Sequence, residues 1–275
     1  MAEVDWSRLT APELRAVAAR GDALAVLPVG ALEQHGPHLP VITDSMVARE
    51  LSLAAARLVA DEQPVLVLPA MWTGMSEHHL PFGGTISLDY AAFAGVLRGV
   101  TRSLRALGFA RLLVVNAHGG NDDPLAVACR ELAHEFALPV VAARPWSLIP
   151  DTLAAVLEQQ KGVQHACEAE TSVMLVLAPD LVRTGLLEQA AAQGPGAVAN
   201  RPALSRFWSF AERAPDSGVR GDPRAGTAAK GEALLTAMAQ ALAAAMRDDT
   251  LWRRPDAVWS PGRGLGHRSY PPGSD

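Results

Sequence analysis

The chain has 275 residues and a mass of 29.0 kDa, which suits one large α/β domain or two small ones. Hydrophobic residues make up 49% and charged residues 19%, which excludes a disordered protein because such chains combine low hydrophobicity with high charge. The formal net charge of −5 gives no basic surface for nucleic acid, and we see neither a signal peptide nor an apolar run long enough to cross a membrane. The two cysteines lack Cys-x-x-Cys spacing. We therefore expect a soluble, cytoplasmic protein that binds neither nucleic acid nor membrane.

Short apolar runs alternate with amphipathic stretches along the chain. This alternation predicts a parallel sheet covered by helices on both faces, in a single domain over residues 1–250 with an irregular tail over 251–275. The segment 193–226 is rich in Gly, Pro and Arg and is expected to form long loops. Segment 171–177 is apolar and could be a helix or a strand. The other predicted elements are, in chain order, helix 11–20, strand 23–29, helix 44–60, strand 65–71, helix 89–107 closed by Gly108, strand 111–116, helix 122–136, strand 139–143 and helix 228–246.

The first cluster of polar residues, which includes Glu33 and His35, follows the first predicted strand. Residues two apart in an extended backbone project to the same side, so this pair offers a carboxylate and an imidazole to one cation. Asp44 is expected at a helix start, with Thr43 or Asp44 itself as the N-cap, and its two oxygens could bridge two ions. Because ligands collect at the carboxyl ends of parallel strands, we interpret the cluster as part of a metal site. The alternative is a polar loop with ordinary surface histidines.

The second cluster is His118-Gly119-Gly120, directly after predicted strand 111–116. The two glycines would let the backbone approach a ligand closely. A glycine-rich turn that binds phosphate at a helix start, as in a nucleotide-binding domain, is the alternative. The absence of Gly-x-Gly-x-x-Gly and of Gly-Lys-Ser/Thr favours a metal-binding histidine.

Two more clusters are expected to border the same edge of the sheet. Glu170 would lie in the first turn of a helix that begins near residue 169, although an acidic residue stabilises a helix start without any ligand. The fourth cluster, Ser76-Glu77-His78-His79, follows predicted strand 65–71 and is expected to line a pocket rather than to bind metal directly.

The charges of these residues balance two divalent ions. Glu33, Asp44 and Glu170 supply three negative charges, the histidines are neutral, and one bridging hydroxide would bring the site to neutrality. This is the composition of a two-metal hydrolase, and nitrogen and oxygen ligands without thiolates favour Zn²⁺ or Mn²⁺.

Several motifs in this order resemble the creatininase (creatinine amidohydrolase) family. They are Glu33-Gln34-His35-Gly36-Pro37-His38 with Asp44, Asn116-Ala117-His118-Gly119-Gly120-Asn121, His165-x-x-Glu168-x-Glu170-Thr171-Ser172, Phe82-Gly83-Gly84-Thr85-Ile86-Ser87, and the segment 218–223. The resemblance implies a three-layer α/β/α sandwich with a mostly parallel central sheet. It also implies a homo-oligomer, by resemblance a hexamer, and a centre of two divalent ions, Zn²⁺ first and Mn²⁺ or Fe²⁺ otherwise.

The clusters and the resemblance together lead us to expect roles for individual residues. His165 and Glu168 are the expected acid–base residues, either of which could take a proton from water and return it to the leaving nitrogen. Expected pocket residues are Ser76, Glu77, His78, Gly119, Gly120 and Trp146. The expected metal ligands are Glu33, His35, Asp44, His118 and Glu170.

At three positions the chain departs from creatininase itself. Gly119, Gly120 and Lys161 stand where creatininase has an aromatic residue, a glutamate and a tryptophan. The aromatic wall for creatinine is therefore missing, unless Trp146 or Trp72 replaces it, and creatinine is a doubtful substrate.

The sequence thus predicts a metal-dependent amidohydrolase in which a metal-bridging hydroxide cleaves a C–N bond of a small amide, cyclic amide or formamide. One alternative is a peptidase that acts on a short or modified peptide, as in the mycofactocin pathway. The alternative from another class is a non-catalytic metal- or ligand-binding member of the fold.

Overall fold

Four parallel strands form the central sheet in the described part of the chain, which covers residues 2–191, 206–214 and 217–254 of a computed structural model. The spatial order of the strands is β2-β1-β3-β4, with Leu24 of β1 opposite Val65 on one side and Arg111 on the other. The strands are β1 (Leu24–Val29), β2 (Val65–Val67), β3 (Arg111–Asn116) and β4 (Val140–Ala143).

Both faces of this sheet are buried under helices, as predicted. Successive side chains of a strand point to opposite faces, so Leu24 and Val26 of β1 join one hydrophobic cluster while Ala25 and Leu27 join another. The first cluster is covered by α2, α6 and α8, and the second by α3 and α4. The helices are α1 (Ala11–Ala18), α2 (Thr43–Val59), α3 (Tyr90–Leu107), α4 (Asp122–Phe136), α5 (Pro150–Val156), α6 (Glu168–Leu177), α7 (Leu187–Ala190) and α8 (Ala228–Arg247). The three-layer α/β/α architecture is therefore confirmed.

Most helices begin and end close to the residues predicted from the sequence. Asp89 caps α3 by accepting a hydrogen bond from the Ala92 amide, and Gly108 ends the helix in the left-handed region at φ 108°. The apolar segment 171–177, which the sequence left open, lies in α6.

The predicted N-cap of α2 is wrong. The residue at this position is Ile42, and Thr43 and Asp44 already belong to the helix. The hydroxyl of Thr43 donates to the carbonyl of Pro40, while the carboxylate of Asp44 is buried in the candidate site. Asp44 thus lies in the first turn of α2 as predicted, but its carboxylate belongs to the candidate site and does not cap the helix.

The predicted tail over 251–275 lies mostly outside the described residues. Of its first residues, Trp252 is buried and its indole N–H donates to the carbonyls of Ala245 and Met246 near the end of α8. The expected loops over 193–226 are described only in part, and a short 3-10 helix, Phe210–Glu212, lies among them. Within the described residues, no helix has both the length and the apolar character that a bilayer crossing demands.

Candidate metal centre and active site

The five predicted metal ligands lie together at the carboxyl edge of the sheet. Two follow β1, one follows β3, one lies in the first turn of α2 and one in the first turn of α6. None of them is more than 5% exposed. They are Glu33, His35, His118, Asp44 and Glu170.

Asp44 lies between two histidines that follow different strands, His35 after β1 and His118 after β3. Its Oδ1 is 3.3 Å from Nε2 of His35, and its Oδ2 is 3.2 Å from Nδ1 of His118. Glu33 approaches His118 in the same way, with Oε1 3.2 Å from Nδ1. A carboxylate with one oxygen at each of two imidazoles has the arrangement that a bridging ligand between two ions requires.

Backbone carbonyls orient both imidazoles. Nδ1 of His35 lies 3.1 Å from the carbonyl of Glu33, and Nε2 of His118 lies 3.1 Å from the carbonyl of Met75. A carbonyl oxygen can only accept, so these nitrogens carry the protons and the other nitrogen of each ring faces Asp44. A backbone acceptor behind a histidine is the usual means of fixing the tautomer of a metal ligand.

The charges in this buried cluster shift the pKa values of its members strongly. Burial opposes a charge on His35, but Asp44, Glu170 and Glu33 outweigh it and raise the pKa of His35 to about 10. The pKa of His118 is likewise raised, against the effect of burial, by Glu33 and Asp44. Burial and the nearby carboxylates of Asp44 and Glu33 raise the pKa of Glu170 to about 7, against the opposing effect of His35. Several carboxylates crowded in a dry site need positive charge.

Three buried polar atoms of this cluster form no hydrogen bond: Oε2 of Glu33, and Nε2 of His35 and Oδ2 of Asp44, which have only the ion-pair contacts given above. Such atoms are rare because each costs the desolvation free energy of an unpaired polar group. One potential ligand atom from each of Glu33, His35 and Asp44 lies within 4.8 Å of the others, and the same holds for His35, His165 and Glu170. The orphaned atoms therefore fit a cation, and the donor set suits Zn²⁺ or Mn²⁺.

His165 lies beside the centre with one nitrogen free. Its Nε2 is 2.8 Å from the carbonyl of Gln34, which can only accept, so Nε2 carries the proton. Nδ1 then has a lone pair, and it lies 3.6 Å from Oε1 of Glu33. Burial and the positive charge of His35 hold the pKa of His165 well below its usual range. This geometry provides a neutral imidazole that can accept a proton at the centre.

Gln34 and His79 form a supporting network; His79 belongs to the cluster that was expected to line a pocket, while no role was predicted for Gln34. The amide nitrogen of Gln34 lies 2.8 Å from Nδ1 of His79 and 2.9 Å from the carbonyl of Gly218. Because this amide can donate to Nδ1, the other nitrogen of His79 carries a proton towards Oε1 of Glu33, at 3.2 Å. Burial and neighbouring histidines hold the pKa of His79 far below its usual range. His79 is therefore a neutral donor to Glu33 in this arrangement. Gln34 stands between the two predicted ligands of the first motif, a position that could have indicated it.

Two asparagines hold the loops that carry the ligands. Asn121 donates to the carbonyl of Gly30 at 3.0 Å and accepts from the amide of Met75 at 2.9 Å. Asn116, the last residue of β3, donates to the carbonyl of His118 at 2.7 Å and accepts from its amide. The ends of β1 and β3 are thus tied to the Met75 loop, whose carbonyl orients His118.

A cavity of about 600 Å³ lies above the centre. Glu33, Asp44, His118, Glu170 and His165 contribute to its lining, as do the predicted pocket residues His78, Gly119 and Gly120. Its further wall comes from Val163 and Gln164, from Arg220 of the motif over 218–223, and from a segment that the sequence did not indicate, with Arg206, Phe207, Trp208, Phe210 and Arg213. Phe210 is buried and packs on His79 and His165, with ring centroids 4.2 and 4.7 Å apart.

Three predicted pocket residues lie outside the cavity lining. Ser76 is buried behind the pocket, where its hydroxyl lies 3.2 Å from Nε2 of His118, and Glu77 is outside the cavity lining. Trp146 is 7% exposed and belongs to the hydrophobic core, so it does not replace the aromatic wall. Trp72, the other possible replacement, is half exposed and also lies outside the lining.

Glu168, expected to move protons, faces away from the centre. Its carboxylate accepts from the backbone amides of Glu158 and Gln159, at 3.0 and 2.8 Å, and pairs with Lys230 of α8 at 2.5 Å. The side chain is fully buried in this arrangement. Glu168 and Glu170 are two residues apart, which is about half a turn of helix, so their side chains leave α6 in nearly opposite directions.

The chain is similar to proteins of one family across nearly its whole length. Residues 7–246 match the family model Creatininase, described as creatinine amidohydrolase. A creatinine amidohydrolase of Pseudomonas putida is 32% identical over 261 residues, which cover 88% of this chain and 95% of that protein. A mycofactocin precursor peptide peptidase of Mycobacterium tuberculosis is 36% identical over 219 residues, covering 78% of this chain and 80% of the relative. A solved structure of creatininase with Mn has a TM-score of 0.75 at 28% identity and covers 90% of this chain and 99% of its own.

Proposed function

The chain belongs to the creatininase family and is a hydrolase that acts on carbon–nitrogen bonds, and from this premise we propose that it cleaves a small-molecule amide at a centre of two divalent metal ions. The observation that carries the proposal is the position of Asp44, with one oxygen at His35 and the other at His118. Zn²⁺ is the first choice for the ions, and Mn²⁺ or Fe²⁺ are the others.

The residues that would hold the ions divide into two groups around Asp44. Glu33 and His118 lie on one side of it, and His35 and Glu170 on the other. Divalent ions bound there would polarise the amide carbonyl and lower the pKa of a water molecule to near neutrality. The orphaned atoms of Glu33, His35 and Asp44 support this assignment and argue against a member of the fold that has lost its metal.

His165 is proposed as the acid–base residue in place of Glu168. Its unprotonated Nδ1 faces the centre, and it can take a proton from the attacking water and return it to the leaving nitrogen. The backbone carbonyl of Gln34 keeps this nitrogen free, because it accepts a hydrogen bond from Nε2–H and so holds the ring proton on Nε2. Phe210 packs on the same imidazole and keeps water from its ring face.

A peptidase on a short peptide is the second candidate. The size of the cavity, about 600 Å³, and the 68% exposed side chain of Phe207 at its wall favour an extended substrate over a small enclosed ring. The similarity to the mycofactocin precursor peptide peptidase supports the same candidate. Trp146 and Trp72 do not enter the cavity, and its aromatic wall comes instead from Phe207, Trp208 and Phe210.

A metal analysis combined with a substrate screen tests the proposal. The metal-loaded protein is assayed against lactams, cyclic ureas, formamides and short peptides, beside Asp44→Ala and the control Asp151→Ala, which changes an exposed aspartate of α5. We expect Asp44→Ala to fold but to lose both bound metal and activity, and Asp151→Ala to keep both. Full metal occupancy in Asp44→Ala, or a wild-type protein that purifies without stoichiometric metal, contradicts the proposal.

A homo-oligomer, a hexamer by family resemblance, is part of the same proposal. Apolar side chains of Trp72, Ile86 and Tyr90 are 49%, 50% and 40% exposed and could pack between subunits. Light scattering of the purified protein measures the assembly directly.

A further inference from the structure

Three arginines, Arg206, Arg213 and Arg220, line the wall of the cavity above the candidate metal centre. Arg206 and Arg213 come from a late segment that the motifs do not include, whereas Arg220 lies in the motif over 218–223. The chain as a whole is acidic, with a net charge of −5, so this local excess of positive charge is not a consequence of composition. Because these side chains line the cavity in which the substrate would bind, their charge bears on the kind of substrate that fits there.

Arg220 is placed beside the acid–base histidine by the backbone. The amide of Arg220 donates to the carbonyl of His165 at 2.8 Å, and the amide of His165 donates back at 3.1 Å. Residues that exchange both hydrogen bonds across an antiparallel bridge project their side chains to the same side. Since the side chain of His165 faces the cavity, the guanidinium of Arg220 does so too.

Arg213 reaches the same space from the end of the short helix Phe210–Glu212. Burial lowers the pKa of Arg220, and repulsion by the positive charge of Arg213 lowers it further. Arg213 also lies close enough to His78, another residue of the cavity wall, to interact with it electrostatically. The charge of Arg213 thus acts on residues at two sides of the cavity.

Among the described residues, neither Arg213 nor Arg220 forms an ion pair with an acidic side chain. Arg206 differs, because it stacks on Trp208 at 3.7 Å and approaches Glu212 at 3.9 Å. The acidic residues among the described lining are Glu33, Asp44 and Glu170, and bound divalent ions would neutralise these. Two partly buried guanidiniums that repel each other without a counter-charge are unfavourable unless an anion joins them.

We propose that Arg213 and Arg220 bind an anionic group of the substrate, a carboxylate or a phosphate, so that this hydrolase acts on amides that carry a negative charge. The proposal rests on the proposed function and specifies its substrate class. A guanidinium can donate two parallel N–H hydrogen bonds to the oxygens of a carboxylate or of a phosphate, so either anion fits. With the anion beside His165, the amide bond of the same substrate would lie over the metal centre.

The experiment uses calorimetry to measure how tightly the metal-loaded chain binds ketone analogues of the substrate. A ketone has no C–N bond at its carbonyl and is therefore not hydrolysed. Levulinate is compared with the neutral levulinamide for the carboxylate arm, and 3-oxobutylphosphonate is used for the phosphate arm. The variants are Arg213→Gln, Arg220→Gln and the conservative Arg220→Lys. Arg224→Gln serves as a matched control because Arg224 pairs with Asp222 and Glu188 and does not line the cavity.

We expect at least one anion to bind wild type about tenfold or more tightly than levulinamide, since hydrogen bonds between charged groups contribute that much. The preferred anion distinguishes carboxylate from phosphate substrates. The preference should disappear in Arg213→Gln and Arg220→Gln, decrease partly in Arg220→Lys and persist in Arg224→Gln, while the metal content of all variants stays that of wild type.

Two results overturn the proposal. One is equal or undetectable binding of charged and neutral analogues to wild type. The other is an anion preference that survives both glutamine substitutions, which would mean that the metal ions bind the anion. Failure of the proposed function is distinguishable, because it appears as missing metal and missing hydrolysis in the wild type, whatever the analogues do.

Discussion

Gly120 leaves no room for a side chain next to His118. A Cβ atom at Gly120 would lie 2.3 Å from Nε2 of His118 and 2.5 Å from the carbonyl oxygen of Met75, which accepts the hydrogen bond from that nitrogen. Atoms at such distances overlap, so one of the partners must move. The carbonyl belongs to the backbone, and the imidazole is therefore the group that moves.

Gly120→Ala should consequently weaken metal binding by about 10–100-fold, the usual cost of disturbing the support of a ligand. Gly119→Ala is a matched control, because a Cβ there meets no atom within 4 Å. Metal affinity by competition with a chromophoric chelator measures both variants. Equal affinities would mean that the tautomer and position of His118 do not depend on this contact.

Metal binding should release protons and become tighter as the pH rises. In the ion-free protein the pKa of His35 is about 10 and that of Glu170 about 7, so at pH 7 His35 is protonated and Glu170 partly so. Both must lose protons to bind an ion. We expect the apparent affinity to increase between pH 6 and 8 by about tenfold per pH unit for each proton released. Calorimetry in two buffers with different ionisation enthalpies counts these protons, and a count of zero would contradict the assigned ligands.

Lys230→Met should destabilise the fold through Glu168. The substitution leaves a fully buried carboxylate with its two backbone donors but without its cation, and breaking a buried pair costs about 3–5 kcal/mol. Urea unfolding gives the free energy of unfolding. The solvent-exposed pair of Arg247 and Glu62 provides the comparison, since Arg247→Met should change this free energy far less.

Glu168→Gln separates a structural role from a catalytic one. It should lower the free energy of unfolding while the folded, metal-loaded variant keeps most of its kcat, because Glu168 points away from the cavity. A large decrease in kcat at unchanged stability would restore Glu168 as an acid–base residue.

His165→Ala should decrease kcat by about 10²–10⁴-fold, the contribution of a positioned acid–base residue. Bound metal should remain at the wild-type level, because the ligands proposed here do not include His165. Kinetics and metal analysis of the same sample check both expectations. Loss of metal in this variant would instead identify Nδ1 of His165 as a ligand atom, an arrangement that its distance from Glu33 also permits.

The order of the elements and the ligand types could be predicted from the sequence because both are local properties. Alternating apolar runs predict β1 and β3, and residues that directly follow parallel strands, such as Glu33 and His118, must meet at one edge of the sheet. Asp44 and Glu170 were placed correctly at helix starts for the same reason.

The direction of individual side chains was not predictable in this way. Glu168 and Glu170 have the same chemistry and neighbouring positions, and only the packing of α6 on α8 turns one to Lys230 and leaves the other at the centre. Trp146 looked like a pocket residue, yet the free energy of burying an indole places it in the core.

The amino-acid sequence by itself determined the layered α/β architecture, the edge at which the site forms and the residues able to bind metal, since strand periodicity and ligand chemistry act over a few residues. The tertiary structure alone decided which imidazole nitrogen faces Asp44, how Gln34 and His79 support the ligands, and that Arg213 and Arg220 enclose the cavity. These features depend on contacts between segments far apart in the chain, and no local pattern encodes the distance at which such segments meet.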